Sequence, residues 1–152
     1  MLKTLISSED CHKCKKCCVF EEKDLWEIPI FSNELKERIK EKWPNVKFKK
    51  YGNQWKIELC KDGHIYLCPF LDFFSGCTLY DNKPLECKLW PFYIMDSGGL
   101  PVLAISPECD VMNSKSLVDI LGVAKTLKMS LHEIAQENPE IIKKNISGFL
   151  IF

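Results

Sequence analysis

Several features of other protein classes are missing from this sequence of 152 residues. No apolar run is long enough to span a membrane. The first ten residues, MLKTLISSED, hold one lysine and a short apolar patch that gives way to acidic residues, unlike the hydrophobic core of a secretory signal. No Gly-rich phosphate loop and no G-x-S-x-G motif occur. We therefore expect a cytoplasmic protein that does not associate with membranes.

Arginine is almost absent, since Arg38 is the single arginine among 21 basic residues, and 21 acidic residues balance them. A balanced charge gives no overall field toward nucleic acid or anionic lipid. The segment KWPNVKFKKYGNQWK interleaves lysines with aromatic residues, which suits base stacking but equally describes the outer face of a hairpin. Zero net charge and the lack of arginine argue against nucleic acid as a partner. We therefore expect the binding partner, if there is one, to be another protein, either as a partner or as a substrate. The oligomeric state is not predicted.

The composition is typical of a globular protein, with 46% hydrophobic and 28% charged residues and no low-complexity tract. We expect a single domain over residues 1–152, with a motif core at 11–109 and a C-terminal helical part at 114–152. The predicted fold class is α+β: a short antiparallel sheet, flanking helices and a cysteine-ligated metal centre.

Capping residues and apolar periodicity predict four helices. The first runs from about Glu9 to Phe20, with Ser7 or Ser8 as its cap, and would place Cys11, Cys14 and Cys18 on one face. The others cover FSNELKERIKEKWPN, KSLVDILGVAKTLKM and LHEIAQE, and Ser130 is the expected cap of the last.

Alternating patterns predict hairpins around KYGNQ, Asp62-Gly63 and Gly98-Gly99. The tail GFLIF is expected to form a terminal strand or to pack over the core.

Cysteine is over-represented: there are nine, and four of them lie in CHKCKKCC at residues 11–18. An odd number, an adjacent pair and a reducing compartment do not suit a disulfide framework. The lysine-rich spacers do not suit a hydrophobic core. Metal ligation is therefore the better account of the cluster.

The spacing favours an iron–sulfur centre over zinc. Cys11, Cys14 and Cys17, with a distant Cys68 followed by Pro69, are similar to the way bacterial ferredoxins hold a four-iron cluster, 4Fe-4S. Tetrahedral zinc usually takes two ligands from each of two knuckles, although close cysteines also build multinuclear zinc sites. Adjacent side chains diverge by about 100° on a helix. Cys17 and Cys18 therefore either serve two centres or include one spare thiol.

Lysines near the cysteines are expected to offset the negative charge of bound thiolates. A solvated surface is the alternative explanation for each of them. The lysines concerned are Lys13, Lys15, Lys16, Lys83 and Lys88.

Four segments, CHKCKKCC, CPFL, GCTLYDNKPLECKLWPF and SPEC, together resemble the family of zinc- or iron-chelating proteins named for its C-x2-C-x2-C-C cluster. The resemblance implies eight metal-linked cysteines: Cys11, Cys14, Cys17, Cys18, Cys68, Cys77, Cys87 and Cys109. Cys60 falls outside the pattern and is expected in a strand. Where the family usually has arginines, this chain has Lys83 and Lys88, so an arginine-specific contact is not expected.

The same motif is similar to that of the flagellin lysine N-methylases, which implies S-adenosylmethionine as a cofactor if the protein is an enzyme. Neither catalytic residues nor residues that bind this cofactor can be named. The leading hypothesis is a metal-binding module that carries a 4Fe-4S cluster. The alternatives are a structural or delivery protein for zinc, and a protein-lysine N-methyltransferase.

Overall fold

The computed structural model describes residues 5–152, which mix helices with short, mainly antiparallel sheets. The helices are α1 (Ser8–Cys14), α2 (Asn33–Lys42), α3 (Leu85–Leu89), α4 (Asp110–Asn113), α5 (Leu117–Met129) and α6 (Leu131–Glu137). The strands are β1 (Val19–Phe20), β2 (Ile30–Phe31), β3 (Phe48–Tyr51), β4 (Gln54–Ile57), β5 (Cys60–Asp62), β6 (Ile65–Leu67), β7 (Leu71–Asp72), β8 (Gly76–Cys77), β9 (Phe92–Ser97), β10 (Leu100–Ile105), β11 (Lys143–Lys144) and β12 (Leu150–Ile151). Short 3-10 helices cover Lys16–Cys18, Glu22–Glu27, Tyr80–Asn82 and Pro139–Ile141.

The chain divides into two compact units. Unit 1 contains the residues up to Cys14 together with Leu89–Phe152, and unit 2 contains Lys15–Lys88. The mixed α+β class is confirmed, and the single domain over residues 1–152 stays a prediction. None of the helices within residues 5–152 is long and apolar enough to cross a bilayer.

Unit 2 is built on a sheet with the order β2-β4-β3, and α2 packs against β4. Ser32 caps α2 by accepting a hydrogen bond from the Leu35 amide at 3.1 Å, and the helix ends at Trp43, just before Pro44. Its apolar stripe, Leu35 and Ile39, is buried in a core that includes Phe31, Ile57, Phe70 and Leu79. This helix and the hairpin beside it confirm the sequence predictions.

A second sheet of unit 2 has the order β1-β6-β5, and β7 pairs with β8 as a separate hairpin. The predicted turn at Asp62-Gly63 joins β5 to β6, and Gly63 takes the left-handed conformation, with φ 59°. Cys60 lies in β5 and is exposed, as expected for a strand cysteine outside the motif.

The first predicted helix is wrong beyond Cys14. Lys15 adopts φ 53°, a left-handed conformation that a right-handed helix cannot continue. The chain then forms a 3-10 turn and enters β1, where Val19 and Phe20 pair with β6. Pairing with a distant strand therefore overrides local helical preference. The shared helical face expected for Cys11, Cys14 and Cys18 does not exist.

Unit 1 contains a sheet with the order β11-β9-β10-β12, on which α5 and α6 pack through β10. The predicted hairpin at Gly98-Gly99 joins β9 to β10, and the tail forms β12 as one of the two expected outcomes. Ser116 caps α5 by accepting from the Asp119 amide at 3.2 Å. Ser130 occupies the predicted N-cap position of α6, but it also ends α5 and its side chain makes no capping hydrogen bond.

Candidate metal centre

Strand pairing in unit 2 places Cys18 beside Cys68. In the antiparallel β1–β6 pair, Val19 lies opposite Leu67. The next pair in the same register consists of Cys18, which precedes Val19, and Cys68, which follows Leu67. The Cys68 amide donates to the Cys18 carbonyl at 2.9 Å, which extends the ladder to the two cysteines. Two cysteines separated by 49 intervening residues are thus fixed by backbone hydrogen bonds.

The β7–β8 hairpin brings Cys77 back to the same region. Cys77 lies opposite Leu71, three residues after Cys68, and the Thr78 amide donates to the Phe70 carbonyl at 2.9 Å. Cys68 and Cys77 both pack against the buried core of unit 2. Their side chains are therefore supported by apolar packing on one side.

Cys18 is the buried centre of this group of thiols. Its Sγ lies 4.0 Å from Cys17 Sγ, and its thiol also interacts with Cys68 and Cys77. Interaction with the side chain of Cys17, and then with those of Cys68 and Cys77, raises the pKa of Cys18, because a further thiolate among these sulfurs is disfavoured. The pKa of Cys17 is lowered by its contact with Cys18, so a single proton between the two sulfurs accounts for both directions.

Cys77 is the sulfur best prepared to be a thiolate. A hydrogen bond from Cys18 is the main cause that lowers its pKa, to about 6, and the amides of Leu79 and Tyr80 and the charge of Lys83 contribute. Amide hydrogen bonds to sulfur are a recurrent way of tuning metal–thiolate sites. The sequence analysis named Lys83 but not the two amides. Every residue except proline has a backbone amide, so the residue types at these positions do not indicate the interaction.

Two strained backbone positions flank these cysteines. Within residues 5–152, Lys15 (φ 53°) and Tyr80 (φ 48°) are the non-glycine residues with positive φ. Lys15 lies two residues before Cys17, and Tyr80 lies three residues after Cys77. Non-glycine residues in this region of conformational space are uncommon and cluster at functional sites. Both positions therefore adjoin segments that contain the cysteines of this group.

Cys87, on α3, is the fifth thiol of unit 2 in the motif. Burial is the main cause that raises its pKa, followed by the negative charge of Cys17, Cys68 and Cys77. The charges of these three sulfurs therefore act on Cys87, which supports its membership of the motif in unit 2.

The other three motif cysteines belong to unit 1. Cys11 and Cys14 lie on α1, Cys109 immediately precedes α4, and these two helices pack against each other. Cys109 is buried, with 2% exposure. Lys13, expected to offset cluster charge, pairs instead with Glu9 at 2.8 Å. The convergence of all eight cysteines stays a prediction.

The residues of unit 2 fit a thiolate-bound metal, although no finished coordination sphere is present. Across residues 5–152, no group of three or more His, Cys, Asp or Glu side chains is placed so that it could hold a metal ion as the side chains stand. Around a tetrahedral ion with metal–sulfur bonds of about 2.3 Å, sulfurs stand roughly 3.8 Å apart. The 4.0 Å between Cys17 and Cys18 is close to this value. Metal binding at these sulfurs would require loss of the protons that they hold.

Comparison with known proteins agrees with this chemistry. A family model described as CxxCxxCC, "Putative zinc- or iron-chelating domain", matches residues 10–115. The match includes every motif cysteine from Cys11 to Cys109 and ends before α5. No curated protein and no solved structure gives a significant match. The relation to flagellin lysine N-methylases therefore stays a prediction, as does the use of S-adenosylmethionine.

Proposed function

The chain belongs to the CxxCxxCC family of zinc- or iron-chelating domains, and from this premise we propose that unit 2 chelates one metal ion through Cys17, Cys18, Cys68 and Cys77. Zinc is the ion that we favour, because closed sites with four thiolates are typical of structural zinc. The ion would join three separate segments of unit 2: the turn at 16–18, the end of β6 and the end of β8.

The 4.0 Å between the Cys17 and Cys18 sulfurs, together with the backbone hydrogen bond that holds Cys68 beside Cys18, carries this proposal. The interaction of Cys18 with Cys68 and Cys77 supports it. A four-iron cluster binds its cysteines on four different irons, which holds the sulfurs further apart than around a single ion. Cys17 and Cys18 are 4.0 Å apart, which supports a single ion. On this proposal Cys87 is the motif cysteine of unit 2 that does not bind the ion. The spacing of the cysteines at 11–17, taken alone, favours the four-iron cluster instead.

The role of such an ion is structural. Several buried thiols that meet without a metal repel as thiolates and compete for protons, as the opposed pKa shifts of Cys17 and Cys18 illustrate. A bound cation removes this conflict, so its binding energy becomes part of the folding energy. Lys83, near Cys17 and Cys77, reduces the remaining negative charge.

Metal analysis after purification under anoxia tests the proposal. We expect one zinc per chain and no acid-labile sulfide. About four irons with matching sulfide would contradict the single-ion site and support the 4Fe-4S hypothesis.

A matched pair of variants tests which cysteines hold the ion. Cys77→Ser is expected to lose most of the bound metal, whereas Cys60→Ser, at an exposed strand position, is expected to keep it. Full metal content in Cys77→Ser would overturn the assignment of ligands.

A further inference from the structure

Positive charge is concentrated in one part of unit 2, outside the thiol group. Residues 33–57, which form α2, β3 and β4, contain eight lysine or arginine residues and three glutamates, whereas the whole chain contains 21 of each sign. The rest of the chain is correspondingly acidic. The overall charge balance therefore hides a basic region, and metal binding does not use it.

Aromatic rings hold several of these lysines in place. The ammonium groups of Lys36 and Lys50 lie 3.8 Å and 4.5 Å from the centroid of the Trp55 ring, and that of Lys56 lies 4.2 Å from the Tyr51 ring. Cations stacked on rings lose part of their freedom before any partner binds. The same stacking occupies aromatic surface that a nucleic acid base would need. The arrangement favours a partner recognised by its negative charge.

Two lysines oppose each other across the hairpin. Lys49 of β3 lies directly opposite Lys56 of β4. The two lysines therefore place positive charge on the same face of the hairpin.

Strand β3 is also an edge of the β2-β4-β3 sheet in the described part of the chain. The Glu58 amide donates to the Lys47 carbonyl at 2.9 Å, which identifies 47↔58 as a hydrogen-bonded pair. Because such pairs alternate along an antiparallel ladder, Lys49 and Tyr51 also face β4. The backbone groups of Phe48 and Lys50 therefore point to the open edge.

We infer that β3 accepts an extended acidic segment of another protein as an added strand. Backbone groups of Phe48 and Lys50 would pair with the segment, and Lys49 would contact carboxylates on one face of the added strand. Lys50, whose side chain lies on the other face of β3, adds positive charge at the same edge. Lysines on an edge strand also prevent pairing with a second basic edge, so they protect against self-association while they admit an acidic strand. An acidic peptide fits better than nucleic acid because it uses the backbone groups of the edge as well as the charges.

Fluorescence anisotropy with a labelled peptide of about ten residues, alternating Glu and Val, tests this inference on the metal-loaded chain. We expect binding that weakens between roughly 0.05 and 0.5 M salt. A peptide of the same length that alternates Lys and Val is expected not to bind. Failure of the acidic peptide to bind, or tighter binding of an oligothymidylate of similar length, would overturn the inference.

Charge reversal locates the surface. Lys49→Glu combined with Lys50→Glu is expected to weaken binding of the acidic peptide by about tenfold or more at low salt. The matched control is Lys125→Glu combined with Lys128→Glu, two exposed lysines of α5 in unit 1, which is expected to leave binding unchanged. An equal loss in both double variants would contradict binding at β3. Metal content is measured in each variant, so a defect in the metal site is distinguished from loss of the peptide surface.

A second pair of variants separates strand addition from simple charge attraction. Lys50→Gln removes the charge and keeps the amide at the open edge, whereas Lys50→Pro removes both. We expect the proline variant to bind several-fold more weakly than the glutamine variant, and equal affinities would contradict strand addition. In the unsubstituted chain, the peptide should also protect the Lys50 amide from hydrogen exchange, and unchanged exchange there would overturn the inference.

Discussion

The thiols of unit 2 differ in what surrounds each sulfur, although the sequence presents them as equivalent. Cys77 accepts hydrogen bonds from two backbone amides, Cys18 interacts with other thiols, and the half-buried Cys87 is desolvated. These surroundings lower the pKa of Cys77 and raise those of the other two. Metal binding must therefore displace the proton that Cys18 holds, while Cys77 is ready as a thiolate near neutral pH.

The affinity of the metal-free chain for zinc is expected to rise as pH increases through about 6. The pKa of Cys77 is lowered to about 6, so this thiolate is populated above that pH and is protonated below it. Protons compete with the metal for the same sulfur, which gives weaker binding on the acidic side. Competition with a chromophoric chelator across pH measures the effect, with Cys60→Ser as the control that keeps the profile. A pH-independent affinity would contradict the assigned role of Cys77.

Residue types identified the candidate ligands, but the local geometry could not be predicted. Cysteine spacing and Lys83 are visible in the sequence, and the structure places Lys83 near Cys17 and Cys77. Neither lysine nor tyrosine prefers a left-handed backbone, so nothing in the sequence indicates the conformations of Lys15 and Tyr80. Such positions depend on tertiary contacts.

Individual elements were predictable where independent local signals agreed. For α2, the cap at Ser32, the stripe of Leu35 and Ile39 and the stop at Pro44 all indicate the same helix, and the structure confirms it. For residues 15–20, the local signals favoured a helix, but β1 pairs with β6 some 45 residues away in the sequence. Local periodicity contains no information about that partner.

Ser32 and Ser130, the N-cap residues of α2 and α6, are expected to differ in their contribution to stability. Ser32→Ala removes a hydrogen bond to the Leu35 amide and should lower the free energy of unfolding by about 1 kcal/mol. Ser130→Ala is the matched control, because the Ser130 side chain makes no capping hydrogen bond, and its effect should be within a few tenths of a kcal/mol. Urea denaturation of the metal-loaded variants measures both. Equal losses would contradict the observed capping.

For the whole molecule, the division into two units separates the motif cysteines into two sets. Cys17, Cys18, Cys68, Cys77 and Cys87 belong to unit 2, whereas Cys11, Cys14 and Cys109 belong to unit 1. The family match over residues 10–115 crosses both units. Spacing along the chain groups Cys11, Cys14 and Cys17, but it cannot show that a left-handed residue and a unit boundary separate the first two from the third. The spacing therefore predicts cysteine ligands but contains no information on how the cysteines are divided between the two units.

Removal of the metal is expected to loosen unit 2 and to leave unit 1 protected. The proposed ion links the turn at 16–18 to the ends of β6 and β8, so its removal should lower the free energy of local opening there. Strands β9 and β10 belong to unit 1 and contain none of the proposed ligands. Hydrogen exchange read by mass spectrometry, with and without a chelator, measures the protection of each segment.

Loss of protection in unit 1 on metal removal would contradict a site confined to unit 2. If peptides that contain α1 and α4 lose protection to the same extent as β6 and β8, Cys11, Cys14 and Cys109 also respond to the metal. A single ion held by unit 2 alone would then be wrong, and the set of eight ligands implied by the family resemblance would account for the data. Cys60→Ser again serves as the control, because an exposed thiol outside the motif should change neither pattern.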